Sequence, residues 1–286
     1  MPTVRLSPPG GPIELYYEET GEGTPLVWCH EYGGDSRSWE AQVRYFARRY
    51  RVVTWNYRGY PPSEVPKDLS AYSLPIMLDD LRALLQHLGI ARAHVGGLSM
   101  GGGVALNFGI RYPEMVESLI ICAAGTGSTN PEEFRQNSER NAHLYETRGV
   151  EAKVENLMKA PGRRGFVHKD PRGHAESIRN ARDHSGLGSA LVIRGVQLQR
   201  KTIFELEAEL ATIPVPTLVV VGDQDEACLE PGLFLKRHIP HAGLLVVPMT
   251  GHAMNLEEPG LFNQHVTEFL ASVENGRWGT WKRKPR

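Results

Sequence analysis

Short apolar segments alternate with longer amphipathic segments along most of the chain. Residues 74–88 place leucine and methionine side chains on one stripe at helical spacing, which predicts an amphipathic helix. Residues 13–18 (IELYYE) predict a strand in an N-terminal hairpin, after the turn at 8–11. Apolar runs bounded by turn residues are typical of strands buried on both faces of a sheet. Such runs occur at 25–29 (PLVWC), 51–56 (RVVTWN), 93–97 (AHVGG), 117–124 (ESLIICAA), 216–222 (PTLVVVG) and 242–248 (AGLLVVP). The alternation predicts an α/β fold with a mostly parallel, doubly wound sheet.

The alternation stops between about residue 126 and residue 205, where no Val/Ile-rich run occurs. Gly and Pro punctuate this stretch, which predicts several short helices. We therefore expect a core domain made of 1–125 and 206–286, with a helical cap inserted at 126–205. The length of 286 residues fits one large domain with such an insertion.

Composition and charge exclude several classes of protein. The hydrophobic fraction is 41% and the charged fraction is 23%, as in ordinary globular proteins. Because 32 Lys and Arg residues balance 33 Asp and Glu residues, the chain has no overall field to hold nucleic acid or an anionic membrane. The three cysteines have no metal-like spacing, so we predict no metal, no cofactor and no disulfide framework.

The termini carry two further expectations. The segment MPTVRLSPPGG has no apolar core of a secretory signal, and no run is long enough for a membrane helix. We therefore expect a cytoplasmic protein. The basic tail at 277–286 is expected to be a surface extension.

The strongest chemical motif is Gly97-Leu98-Ser99-Met100-Gly101, directly after a predicted strand and before a predicted helix. A serine on so tight a strand-to-helix turn sits in strained backbone, so its neighbours must be small. The turn lifts Oγ above the sheet edge, and the Met100 N–H at the helix N-terminus favours an anion there. This context predicts Ser99 as a nucleophile rather than an incidental residue of a glycine-rich turn.

With this motif, the chain resembles the α/β-hydrolase family from about residue 12 to residue 272. It is most similar to the small esterases, enol-lactonases and perhydrolase-like members, above all in residues 88–123. The family's order of nucleophile, acid and histidine implies Asp225 as the acid, with Asp223 and Glu226 as competitors. It implies His252, which follows the last predicted strand and a glycine, as the base.

The expected roles follow from pKa values. A serine hydroxyl is a poor nucleophile at neutral pH and needs the neutral imidazole of His252 to take its proton. Asp225 would orient that imidazole and stabilise the imidazolium that forms. The oxyanion needs two N–H donors. Met100 supplies one, and the resemblance assigns the second to the N–H of Tyr32, although Glu31 stands where the family usually has glycine.

The substrate pocket is the part that the sequence describes least. Seven basic and two acidic residues lie between Lys159 and Arg182. One hypothesis is that arginines of this cluster bind a substrate carboxylate, and the alternative is a solvated cap surface. The residues expected to contact substrate are His30, Glu31, Arg163, Arg164 and Arg172.

The leading interpretation is a serine hydrolase that cleaves a small carboxylic ester or lactone, with an anionic substrate as one option, through an acyl-enzyme on Ser99. Three alternatives stay open: hydrolysis of a carbon–carbon bond in a ring-cleavage diketone, perhydrolase or haloperoxidase activity, and a non-catalytic ligand-binding protein. Leu98 weakens the first, because family members with that activity usually carry a polar residue before the serine. The oligomeric state also stays open.

Overall fold

Eight strands form one sheet in the computed structural model, which describes residues 2–279. Their order across the sheet is β1-β2-β4-β3-β5-β6-β7-β8. The pairs β1–β2 and β2–β4 are antiparallel, and the remaining pairs are parallel. The strands are β1 (Thr3–Leu6), β2 (Ile13–Thr20), β3 (Thr24–Cys29), β4 (Tyr50–Trp55), β5 (Ala93–Leu98), β6 (Val116–Cys122), β7 (Thr217–Gly222) and β8 (Ala242–Val247).

Twelve α-helices connect and cover these strands in the described part of the chain. The core helices are α1 (Glu40–Phe46), α2 (Leu74–His87), α3 (Met100–Arg111), α10 (Glu226–His238), α11 (Met254–Glu257) and α12 (Pro259–Glu274). Those between β6 and β7 are α4 (Pro131–Arg148), α5 (Val150–Lys159), α6 (Arg164–Lys169), α7 (Pro171–Ala181), α8 (Gly186–Val192) and α9 (Glu207–Leu210). A π-helical turn, Ile193–Gln197, follows α8.

The predicted strands are confirmed to within two residues at each end. The fold class is confirmed as well: a mostly parallel sheet with helices on both faces and a helical insertion. Helix α2 follows its predicted stripe. It begins after Ser73, whose hydroxyl accepts a hydrogen bond from the backbone N–H of Ile76.

Successive residues of β3 pack into different layers, which shows how the sheet separates the core into two. Val27 and Cys29 belong to one buried cluster, whereas Leu26 and Trp28 belong to the other. This follows from the alternation of side chains along a strand. In the second cluster Trp28 stacks on Trp39 with ring centroids 4.3 Å apart. Because both faces are covered, the strands needed continuous apolar runs.

The segment between β6 and β7 contains α4 to α9 and no strand in the structure. We call residues 126–205 the cap. It has small apolar clusters of its own, one around Tyr145 and one around Val154. These clusters are small beside those of the sheet. The cap also places Leu191, Val192, Val196 and Ile203 in the first of the two sheet clusters, so it is held on the core by apolar as well as polar contacts.

The sequence also led to expectations about the C-terminal tail, membrane-spanning helices and the cysteines. Residues 280–286 of the basic tail lie outside the described residues. Before them, the Trp278 indole N–H donates to the carbonyl of His241 at 2.8 Å. No described helix has the length and apolar character needed to cross a membrane. The cysteines Cys29, Cys122 and Cys228 are buried and unlinked.

Candidate active site

Ser99 occupies the turn between β5 and α3 with φ 57° and ψ −114°. A non-glycine residue at this positive φ is strained and persists only where its surroundings enforce it. The surroundings here are hydrogen bonds on both sides: Ser99 N–H donates to Cys122 O at 2.8 Å, and Gly103 N–H donates to Ser99 O at 3.0 Å. The turn therefore holds the serine at the carboxyl edge of the sheet, as its sequence context predicts.

The glycines around Ser99 are required by close backbone contacts. A Cβ on Gly97 would lie 2.2 Å from the carbonyl oxygen of Gly101. A Cβ on Gly101 would lie 2.0 Å from the carbonyl oxygen of Cys29. Atoms that are not bonded to each other cannot approach so closely. The turn can therefore pack against its own helix and against β3 only because both positions are glycine.

Asp225 and His252 follow β7 and β8, two neighbouring parallel strands, so both side chains reach the same edge of the sheet as Ser99. His252 Nδ1 lies 2.7 Å from Asp225 Oδ2. Burial disfavours the imidazolium, but the adjacent carboxylate outweighs burial and raises the pKa of His252 well above its ordinary value. With Nδ1 bonded to the carboxylate, Nε2 is the nitrogen left to exchange a proton.

Cys228 is a further neighbour of this pair, and no sequence motif points to it. Its Sγ donates to the carbonyl of Ala123 at 3.2 Å and lies 3.3 Å from Thr126 Oγ1. Burial raises the pKa of the thiol, which keeps it neutral. The potential metal-ligand atoms of Asp225, Cys228 and His252 lie within 4.8 Å of one another. A metal ion there would have to break the Asp225–His252 hydrogen bond.

One cavity of about 450 Å³ brings together Ser99, Met100, Tyr32 and His252. Its wall is mainly apolar and is built from α2, α3, α4 and the segment that follows α8. The apolar side chains are Leu74, Pro75, Met100, Val104, Phe134, Ile193, Val196, Ile203 and Leu206. A mainly apolar cavity with polar groups set into its wall is typical of sites for small organic ligands.

His30 does not line this cavity, which corrects its prediction as a substrate contact. The ring is fully buried between Tyr57 and Tyr60, and burial lowers its pKa to about 3. The neutral ring lies with Nδ1 2.8 Å from Glu31 O, and the N–H of Tyr57 approaches Nε2 at 3.5 Å. Nδ1 is therefore the donor.

The hydrogen bond from His30 Nδ1 to Glu31 O fixes the orientation of the peptide group between Glu31 and Tyr32. Glu31 O belongs to the peptide group that also carries the N–H of Tyr32, and in a trans peptide the two point in opposite directions. By holding the carbonyl on one side, His30 aims the Tyr32 N–H to the other. The phenol of Tyr60 donates to the next carbonyl, Tyr32 O, at 2.9 Å and steadies the same loop.

Glu31 is also predicted to face substrate, and the structure places it elsewhere. It is 4% exposed and lines a separate cavity of about 550 Å³ behind the loop. Its Oε1 accepts from Ser38 Oγ at 3.1 Å and lies 3.4 Å from Arg163 Nη2. The residue that replaces the expected glycine therefore joins the loop to the cap.

The three cap arginines predicted to bind substrate are likewise absent from the wall of the 450 Å³ cavity. Arg163 is buried and is occupied by Glu31 and by Ser177, whose hydroxyl lies 3.2 Å from Nη1. Arg164 and Arg172 are exposed to solvent. The basic cluster contributes to the cap surface and to two cap–core ion pairs, and the cationic residues of the cavity are Arg200 and Lys201 instead.

The cap also contacts the loop that carries His252. The N–H of His252 donates to the carbonyl of Gly162 at 3.0 Å. A Cβ on Gly162 would lie 3.0 Å from the Cβ of His252, so the two backbones touch. Nearby, Lys169 Nζ lies 2.5 Å from Glu258 Oε1. The turn Pro161–Arg163, which follows α5, therefore helps to hold His252 in position.

A buried lysine forms a third connection between cap and core. Lys153 of α5 is fully buried, and its Nζ lies 2.8 Å from His184 Nδ1 and 3.0 Å from Ser189 Oγ. The other His184 nitrogen, Nε2, lies 3.0 Å from Asp35 Oδ2. The ammonium also stands 4.7 Å from the centroid of the Tyr32 ring. This chain of contacts ends on the loop that presents the Tyr32 N–H.

Comparison with known proteins identifies relatives across the whole chain. A family model described as alpha/beta hydrolase fold matches residues 24–151. A 2-hydroxy-6-oxononadienedioate/2-hydroxy-6-oxononatrienedioate hydrolase from Burkholderia vietnamiensis is 30% identical over 283 residues, which cover 93% of this chain and 94% of the relative.

Solved structures agree with this relationship. A thermophilic esterase from Thermogutta terrifontis, in a malate-bound structure, is 28% identical and superposes with a TM-score of 0.86, over 96% of this chain and 99% of the esterase. An enol-lactonase from Burkholderia xenovorans LB400 is 25% identical with a TM-score of 0.81, over 94% and 100% of the two chains. These relatives support a hydrolase, and the sheet, the strained serine turn and the relationship together show that the chain belongs to the α/β-hydrolase fold family.

Proposed function

We propose that the protein is a serine hydrolase that cleaves a small carboxylic ester or lactone through an acyl-enzyme on Ser99. The observation that supports this most directly is that Ser99, on its strained turn, shares one cavity with His252, whose Nδ1 is hydrogen-bonded to Asp225 at 2.7 Å. A strained serine that shares a cavity with an imidazole oriented by a carboxylate is an arrangement suited to nucleophilic catalysis.

The reaction starts with attack of Ser99 Oγ on the carbonyl carbon while His252 Nε2 takes the hydroxyl proton. Negative charge moves to the carbonyl oxygen, where the N–H groups of Met100 and Tyr32 stabilise it. The tetrahedral intermediate collapses to the acyl-enzyme, and the His252 imidazolium returns its proton to the leaving alkoxide. Asp225 remains ionised and stabilises the imidazolium in between.

Water completes the cycle. His252 takes a proton from a water molecule that attacks the acyl carbonyl, and the resulting intermediate expels Ser99 Oγ, which recovers its proton from the imidazolium. The products are the acid and the alcohol, or the hydroxy acid if the substrate is a lactone. His30 is a positioning residue in this scheme, because it aims the Tyr32 N–H without lining the cavity.

The 30% identical dioate hydrolase supports a second candidate, hydrolysis of a carbon–carbon bond in a ring-cleavage diketone by the same residues. Leu98, an apolar residue before the serine, favours the ester reaction. The two candidates differ in the leaving group, which is an alkoxide for an ester and a carbon atom for a diketone. A substrate panel that contains both classes separates them.

The deciding experiment is labelling with a fluorophosphonate together with release of p-nitrophenol from a short-chain ester. We expect a burst of p-nitrophenol and a covalent adduct in the native protein, both abolished in Ser99→Ala. Ser138→Ala is the matched control, since Ser138 also lines the cavity and should leave the label in place. Absence of both burst and adduct in the native protein would refute a serine hydrolase.

A further inference from the structure

Arg200 places a guanidinium in the wall of the cavity that holds Ser99 and His252. Its Nη2 donates to Thr126 O at 2.6 Å, and its Nε donates to Gln197 Oε1 at 2.8 Å. The guanidinium carbon lies 5.1 Å from the centroid of the Phe134 ring. These contacts hold the planar group in one orientation while using two of its five N–H groups.

The charge of Arg200 is not balanced by a carboxylate within residues 2–279, where it forms no ion pair. Two arginines that are more deeply buried differ in this respect: Arg58 lies 2.6 Å from Asp80, and Arg163 lies 3.4 Å from Glu31. Burial lowers the pKa of Arg200, but a guanidinium stays protonated at any physiological pH. Arg200 is half-buried. A cation that is partly withdrawn from water without an anion is unfavourable, and a bound anion would relieve that cost.

The position of Arg200 links it to the reacting groups. Its acceptor Thr126 also contacts Cys228 through Oγ1 at 3.3 Å, and Cys228 lies in the first turn of α10, directly after Asp225. Arg200 therefore stands on the Asp225 side of the cavity. The neighbouring Lys201 lines the cavity too, but it is mainly exposed and lies 2.6 Å from Glu209.

We infer that the preferred substrate is an ester or lactone that carries a free carboxylate, and that Arg200 binds this carboxylate. The inference deepens the proposed function and rests on it for the identity of the reacting bond. A carboxylate fits better than a phosphate dianion, because one guanidinium balances one negative charge and offers it paired donors. The apolar wall would surround the carbon chain between the carboxylate and the reacting carbonyl.

The test compares two esters of equal acyl chain length, p-nitrophenyl hexanoate and mono-p-nitrophenyl adipate, which differ in the terminal carboxylate. Arg200→Gln keeps a donor for Thr126 O and removes the charge. We expect kcat/KM for the adipate ester to fall by about 10- to 100-fold, which is the range for losing a charged hydrogen bond. For the hexanoate ester we expect a change below about 3-fold.

Two further variants separate recognition from folding. Arg200→Lys keeps the charge and should recover part of the preference for the adipate ester. Arg172→Gln removes an exposed arginine of the cap and should leave the ratio of the two esters unchanged. If Arg200→Gln lowers both esters by the same factor, or leaves their ratio as in the native protein, the carboxylate subsite is refuted.

A binding measurement keeps this result separate from failure of the serine mechanism. Ser99→Ala is titrated calorimetrically with monomethyl adipate, with and without Arg200→Gln. Weaker binding in the double variant supports the carboxylate subsite, even if the native protein were to cleave neither ester and so contradict the proposed function. Equal binding by the two variants overturns the role of Arg200, whatever the esterase activity.

Discussion

Replacing Lys153 with methionine removes a charge that is fully buried between the cap and the core. Burial disfavours the ammonium and lowers the pKa of Lys153 from 10.5 to about 7, although Asp35 and Glu31 act in the opposite direction. The unfolded chain therefore keeps this proton over a range of pH in which the folded protein has lost it. Stability must rise with pH in that range, because the unfolded state binds more protons.

The expected size follows from the two pKa values. With 10.5 for the unfolded chain and about 7 for the folded protein, raising the pH from about 7 to about 9.5 adds about 3 kcal/mol to the free energy of unfolding. Other charged groups near the ammonium do not mask the effect. Burial raises the pKa values of Tyr32 and Tyr60 well above 10.0, so both phenols stay protonated in this window.

Urea unfolding at several pH values measures this contribution as the difference between the native protein and Lys153→Met. Titrations elsewhere in the chain cancel in that difference. Lys159→Met is the matched control, because Lys159 ends the same helix and is exposed. We expect its free energy of unfolding to run parallel to that of the native protein at every pH.

The reasoning is refuted if the native protein gains less than about 1 kcal/mol relative to Lys153→Met between about pH 7 and about pH 9.5. It is also refuted if the difference has the opposite sign, since that would mean a lysine whose ammonium is favoured by its surroundings. A comparable pH dependence in Lys159→Met would attribute the effect to the helix rather than to the buried position.

Two further predictions concern the site and the core. We expect kcat/KM for a neutral ester to fall as the pH drops through the pKa of His252. Asp225→Asn should lower the rate by about a thousandfold or more and should also lower the midpoint of the pH–rate profile. An unmoved midpoint would contradict the role of Asp225. We expect Arg58→Ala to lower the free energy of unfolding, measured in urea, by about 3–5 kcal/mol, because it leaves Asp80, which is 0% exposed, without its bidentate partner. A loss below about 1 kcal/mol would show that the pair is dispensable.

The sheet and the turn that carries Ser99 could be predicted because local sequence determines them, whereas Asp225 and His252 were assigned from the resemblance to the α/β-hydrolase family. Parallel strands that are buried on both faces require continuous apolar runs, so their boundaries are visible in the chain. The glycines at 97 and 101 mark backbone contacts that exclude a side chain. The carboxyl ends of parallel strands lie at one edge, which brings together residues far apart in sequence.

The wall of the cavity and the contacts between cap and core could not be predicted, because both depend on segments that are distant in sequence. Glu31 and Arg163 are 132 residues apart, and nothing in the local sequence of either indicates the other. Lys153 lies on a polar helix where exposure is the ordinary expectation. Arg200 follows a π-helical turn, Ile193–Gln197, which changes the helical phase and with it the direction of the residues that follow.

The backbone hydrogen bond between Gly162 O and His252 N limits how the cap can change in evolution and how it can be exchanged between relatives by engineering. A cap whose carbonyl accepts a hydrogen bond from the backbone of His252 is not an interchangeable module, because a transplanted cap would bring a foreign peptide to that carbonyl position. Chimeras that join this sheet to the cap of a relative should keep the junction around Gly162 together with the loop around His252. Changes in substrate range should then arise more easily in the distal cap helices than at this junction.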